Sequence, residues 1–276
     1  MLKKLISITV LFTLIFSVQA NEKIARETID QYDLRTYHPD KFALKDLTFE
    51  IRQEGLVESL NEGRALGKLS DVFVKVYWLT PGELKLEVNG LPNGFYELKN
   101  RIRMAVEPYL IYVIPQELQP RIRAYQLSAE TVEGNVEVGG VDKTQKLNSS
   151  RIKFIFSNDG RLVKSISFSP SLVSTTDFTS TKKTWSRNKW VLESLASETI
   201  QGNRLVKVDT HIDYVNESGY GFPKKIEVNS ETIAKFKDKK NKLQEKSLGK
   251  GKLILNFDNF QVNQGIAKRE LMKGKN

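Results

Sequence analysis

Leu47, Phe49 and Ile51 alternate with Thr48, Glu50 and Arg52, and Leu84, Leu86 and Val88 alternate with Glu83, Lys85 and Glu87. A period of two with one apolar side predicts half-buried antiparallel strands. Between them, "DVFVKVYWLTPGELKLEVNG" (71–90) predicts two strands joined by a Pro81-Gly82 turn. The first is apolar on both sides, with Val72, Val74, Val76 and Trp78 against Phe73, Tyr77 and Leu79. One side belongs in a core or cavity and the other needs cover. A short N-terminal helix, predicted from the spacing of Ile24, Thr28, Ile29 and Tyr32, is a candidate for that cover.

The period then changes to 3.6. Phe95, Leu98, Ile102, Ala105, Val106, Tyr109 and Val113 form a helical stripe, with Lys99, Arg101 and Arg103 mostly away from it. Pro108 predicts either two helical pieces meeting near Glu107, or a helix followed by an extended "YLIYVIP".

Beyond residue 124 the pattern predicts a β-meander. "RIKFIFSNDGRLVKSISFS" (151–169) is a hairpin with Gly160 in the left-handed position, aligning Phe156 with Leu162 and keeping Ile152, Phe154, Ile166 and Phe168 on one face. "SPSLVSTTDFTST" is expected to be a Ser/Thr-rich loop. Further strands follow, with a turn at Gly202-Asn203. In one of them Val206, Val208, Ile212 and Tyr214 face in, while Lys207, Asp209, His211 and Asp213 face out. Nine or ten strands and one central helical insertion are expected, as one β domain over 21–276.

Residues 1–20 change the picture of where the chain works. Lys3 and Lys4, an apolar run from Leu5 to Phe16 and Val18-Gln19-Ala20 match a secretory signal peptide cut after Ala20, which implies export to the periplasm. No Cys is present anywhere, so disulfides, thiolate metal sites and Cys nucleophiles are excluded. The net charge of +10 favours anionic partners such as lipid head groups; nucleic acid is not expected outside the cytoplasm. The stretch 235–252 carries eight lysines against Asp238 and Glu245. Lys235 to Lys252 reads either as an anionic-membrane contact or as a solvated hairpin whose charges prevent edge pairing.

Candidate chemistry is sparse. His38 and His211 are the two histidines. His211 and Asp213 share a strand face, but a catalytic zinc site takes three protein ligands, so an exposed charged face is the expected reading. No G-x-S-x-G, H-E-x-x-H or G-x-x-x-x-G-K-[ST] motif occurs. The expectation is a protein without enzymatic activity, metal or cofactor.

The order of features resembles the outer-membrane lipoprotein carrier (LolA/LolB-like) family. "DVFVKVYWLTPGELKLEVNG" is similar to that family's strand, Pro-containing turn and second strand. "ETIQGNRLVKVDTHIDYVNESGYGFPKKIEV" is similar to its late strands, and the resemblance runs in outline over 24–262. It implies a highly curved antiparallel sheet forming an unclosed β-barrel, with a central helical lid over a cavity for lipid or lipoprotein acyl chains. The family's chaperone has an Arg before the turn Pro; Thr80 stands there in this chain, which implies a divergent relative with its own ligand. Candidate cavity residues are Val74, Val76, Trp78, Leu84, Leu86, Val88, Phe95, Leu98, Ile102, Phe154 and Phe156, each also readable as packed core. The expected function is a periplasmic acyl-chain carrier or chaperone in outer-membrane biogenesis. An envelope scaffold or protein-interaction module without lipid is the alternative.

Overall fold

The computed structural model describes residues 21–63, 67–237 and 243–273. The leader over 1–20 and the centre of the lysine-rich stretch lie outside the described residues. Helix α1 (21–35) leads to β1 (Asp46–Gln53), α2 (Leu56–Glu62), β2 (Phe73–Leu79) and β3 (Glu83–Asn89). The helical insertion follows as α3 (Tyr96–Val106), a 3₁₀ turn over Glu107–Tyr112 and α4 (Leu118–Ile122). Then come β4 (Gln126–Val132), β5 (Asn135–Val141), β6 (Arg151–Phe156), β7 (Leu162–Ser169), β8 (Leu172–Lys182) and β9 (Trp190–Gln201). The chain closes with β10 (Arg204–Glu217), β11 (Tyr220–Lys237), β12 (Leu243–Val262) and α5 (Ile266–Met272).

All strands belong to one twelve-stranded sheet in the order β3-β2-β1-β12-β11-β10-β9-β8-β7-β6-β5-β4. Every neighbouring pair is antiparallel, and β3 and β4 stand at opposite edges without pairing, so the sheet is not closed. The chain is mainly β, as the alternating pattern predicts. Twelve strands exceed the nine or ten expected, and β8 is one of the additional ones, occupying the stretch read as a Ser/Thr loop. Ser and Thr favour turns locally, but Ser174 and Thr176 pair with Thr199 and Ser197 of β9 in the ladder, which decides for strand.

The 151–169 hairpin forms as expected at its turn. Gly160 has φ +80°, and Phe156 pairs with Leu162. Its apolar faces do not stay together, however. An extra residue between the pairs Ile155–Lys164 and Phe156–Leu162 flips the rest of β7. Ser165 and Ser167 therefore oppose Phe154 and Ile152. Ile166 and Phe168 turn outward, where the Arg151 guanidinium lies 5.1 Å from the Phe168 ring centre.

Two separate cores result. The larger joins Leu47, Phe49 and Ile51 of β1 with Val74, Val76 and Trp78 of β2, Ile212 of β10, Ile226 of β11 and Leu255 of β12, under Ile102 and Val106 of α3. The smaller packs Ala25 and Ile29 of α1 with Leu118 and Ile122 of α4 over Leu127, Val138, Phe156 and Leu162. The second side of β2 is covered by α5, not by α1. Helix α5 packs on β1, β2 and β3, and its Glu270 lies 3.9 Å from Lys85, the cross-strand partner of Tyr77. Asp46 fixes that helix by accepting the amides of Ala267 (3.3 Å) and Lys268 (2.8 Å). The N-terminal helix is drawn instead to the smaller core, because Ala25 and Ile29 are fully buried there.

The helical insertion takes the first of its two predicted forms. Pro108 removes an amide donor, and the helix tightens into the 3₁₀ turn at Glu107 instead of giving way to an extended strand.

Candidate functional site: a cavity between the two cores

The inner face of β7, β8 and β9 is built from small residues. One cross-strand row runs Phe154–Ser165–Thr176–Ser197–Val208, and the next runs Ile152–Ser167–Ser174–Thr199–Val206. Each row is large at both ends and small in the middle. No residue of β8 is fully buried, and in β9 only Val191 is. Hydroxyls in the middle satisfy one another: Thr176 and Ser197 are 2.9 Å apart, and Ser174 and Thr199 are 3.0 Å apart. Paired hydroxyls carry little desolvation cost, while their small volume leaves space that aliphatic side chains would have filled.

That space is a cavity of ≈ 640 Å³, within the range of about 300–1,000 Å³ typical of ligand sites. Residues of six successive strands, β6 to β11, reach it. Laid flat, six strands would span about 24 Å, so the sheet curls around the space. Phe154, Phe178, Leu192, Leu195 and Tyr214 supply the apolar wall. Tyr37 and Gly221 line one end, backed by Trp185: the Tyr37 and Trp185 rings meet edge to face at 5.1 Å, and the Gly221 amide donates to the Tyr37 hydroxyl at 3.0 Å. Gly221 must lack a side chain, because a Cβ would sit 2.0 Å from the Trp185 ring. Burial raises the Tyr37 hydroxyl above the ordinary tyrosine range, and pushes that of Tyr112 up to about 12.

The segment from Ile111 to Tyr125 runs over the cavity. Four polar contacts hold it to the end of α1 and the following loop. Asp33 accepts the amides of Leu118 (2.7 Å) and Gln119 (2.9 Å), and Lys41 meets Glu117 at 3.1 Å. His38, which is buried, donates through Nδ1 to the Pro115 carbonyl at 2.9 Å. Leu118 and Ile122 anchor α4 in the smaller core.

A second cavity of ≈ 500 Å³ lies on the other side of the same segment, floored by Phe49, Val76, Trp78 and Leu84. His38 lines it, and its Nε2 has no hydrogen-bond partner. A third hollow of ≈ 440 Å³ separates Leu86 and Val88 of β3 from Tyr96 and Asn100 of α3.

The sequence-predicted residues are distributed unequally. Phe154 lines the large cavity. Val76, Trp78 and Leu84 line the second cavity, and Leu86 and Val88 the third. Val74, Ile102 and Phe156 are packed core, Leu98 is half-buried against it, and Phe95 is largely exposed. The hydroxyl rows, Arg121 and Tyr125 are unmarked in the sequence, and Tyr214 is marked there only as facing in. The signal for the hydroxyl rows was the alternation S-x-S, T-x-F and S-x-T within β-forming stretches. His211 and Asp213 lie 3.2 Å apart on an exposed face, and no cluster of three or more His, Asp or Glu residues suited to a metal occurs among the described residues. No helix among the described residues is long and apolar enough to cross a membrane.

No family model, curated protein or solved structure matches this chain.

Proposed function

We propose that the chain is an exported, non-enzymatic acyl-binding protein of the cell envelope that holds a lipid or lipoprotein chain between the curled sheet and the 111–125 segment. The observation that carries this reading is the inner face of β7–β9, where Ser165, Ser167, Thr176 and Ser197 line a cavity between two filled cores. Sequestering each methylene there is worth about 0.8 kcal/mol, so several buried methylenes suffice for useful affinity without any charged contact. The 111–125 segment is the lid in this reading. Its polar latches act together with Leu118 and Ile122, which anchor α4 in the smaller core and keep the segment over the cavity.

Mass spectrometry of material extracted from the purified protein tests the proposal. A bound lipid, and displacement of a fluorescent fatty-acid probe by added lipid, are expected. Recovery of no lipid together with no probe binding overturns it.

A second reading has its own support. Among the described residues the sheet ends in two unpaired edges, β3 and β4, and Val132 on β4 is exposed. Such edges suit strand addition by a protein partner. A stoichiometric complex formed by lipid-free protein, and lost when β4 carries a proline, is the result that favours this scaffold role.

A further inference from the structure

We propose that the cavity takes an amphiphile with an anionic head group, bound at Arg121 with its chain against the sheet; this rests on the acyl-binding reading above. Among the residues lining the large cavity, Arg121 alone carries a charge at neutral pH. It sits on α4, is exposed to solvent, and borders both cavities where the 111–125 segment divides them.

Among the described residues the Arg121 guanidinium has no ion pair or hydrogen-bond partner. Asp40 and Glu107 line the second cavity with it, whereas two other carboxylates beside α4 are engaged elsewhere. Glu117 faces Lys41, and Asp33 holds the amides of α4. The hydroxyl of half-buried Tyr32 feels the positive charge of Arg121, and Thr36 lines the same wall. An anion at Arg121 therefore finds a fixed fork of N–H donors with hydroxyl groups nearby.

The fixed position is the second half of the argument. Leu118 and Ile122, on either side of Arg121, are buried in the smaller core, and Asp33 pins the start of the helix. A cation on a flexible loop would offer little selectivity; a guanidinium on an anchored turn offers a defined site at the rim of an otherwise uncharged cavity. The head-group chemistry is a carboxylate or a phosphate ester, both of which match the guanidinium in two-point geometry.

Displacement of a fluorescent fatty-acid probe by oleate, by 1-oleoyl lysophosphatidate, by methyl oleate and by inorganic phosphate alone tests the assignment. On the unmodified protein, at least one of the two anionic amphiphiles is expected to displace the probe about ten- to a hundredfold more effectively than the ester, as a charge-assisted pair implies. Which of them does so tells a carboxylate site from a phosphate site. Inorganic phosphate is expected to have no effect, because it lacks the chain. Arg121→Gln is expected to bring the best anion and the ester to within about twofold by weakening the anion, with the thermal midpoint unchanged; Arg121→Lys restores part of the difference. Equal binding of anions and ester by the unmodified protein overturns the head-group assignment and leaves the acyl-binding reading intact. Displacement by inorganic phosphate as effective as by the amphiphiles also overturns it. Absence of binding by every probe overturns both.

Discussion

The carboxylate of Asp33 accepts the backbone amides of Leu118 and Gln119 at 2.7 and 2.9 Å, so a residue on the first helix holds the start of α4, 85 residues away in the chain. A side-chain oxygen normally supplies such a cap from the residue just before the helix. Here Glu117 occupies that place and makes no cap bond.

Asp33→Ala is expected to destabilise the fold by about 1–2 kcal/mol and to loosen the 111–125 segment selectively. Hydrogen exchange should accelerate most at Leu118 and Gln119. Uniform acceleration across the sheet instead would show that Asp33 supports the whole fold and not the segment.

Tyr77 gives a pH dependence of defined sign. Burial, with the Glu87 carboxylate second, pushes its hydroxyl from 10.0 up to about 12. The folded chain thus keeps the proton where the unfolded chain has lost it. The resulting stability is complete below pH 10 and is lost as pH rises towards about 12. Tyr77→Phe is expected to flatten the pH dependence of the urea midpoint over that interval. An unchanged slope would assign the titration to other tyrosines.

Ser165 faces the large cavity between Phe154 and Thr176. Ser165→Leu should fill part of the space, lower fatty-acid probe capacity, and leave stability unchanged or raise it by about 0.5–2 kcal/mol. Loss of binding with a lowered thermal midpoint would mean distortion of the sheet and not occupancy of the site.

Arg52 joins Glu50 (3.0 Å), Asp71 (3.0 Å) and Asp258 (2.7 Å) while lying 4.7 Å from the Phe73 ring centre. Arg52→Met keeps the packing and leaves three carboxylates together. A loss of about 1–3 kcal/mol is expected at neutral pH. The loss should shrink at acid pH, because burial raises the Asp258 carboxyl and its protonation relieves the repulsion. Equal losses at both pH values would point to the Phe73 contact as the source.

The strands were the most legible part of the chain. Leu47, Phe49 and Ile51 announce a buried face because alternation is a local property of one strand. The turn at Gly160 was legible for the same reason: the residue and its conformation sit together in the chain. The outward turn of Ile166 and Phe168 was not, since it follows from one extra residue in the pairing of β6 with β7. Strand β8 was hidden because serine and threonine carry turn propensity of their own, and only its two neighbours supply the ladder that overrides it.

By itself the sequence determined the mainly β class, the central helical break at Pro108, the absence of thiol chemistry and the apolar doubling of β2. Tertiary structure decided that α5 and not α1 covers Tyr77, that most of the predicted cavity residues fill cores or smaller hollows, and that small residues from three strands line up to leave a large space. The reason is geometric. A strand's pattern records which face is buried, whereas a cavity is the volume that several strands jointly fail to fill, and that sum exists only once their registers are set.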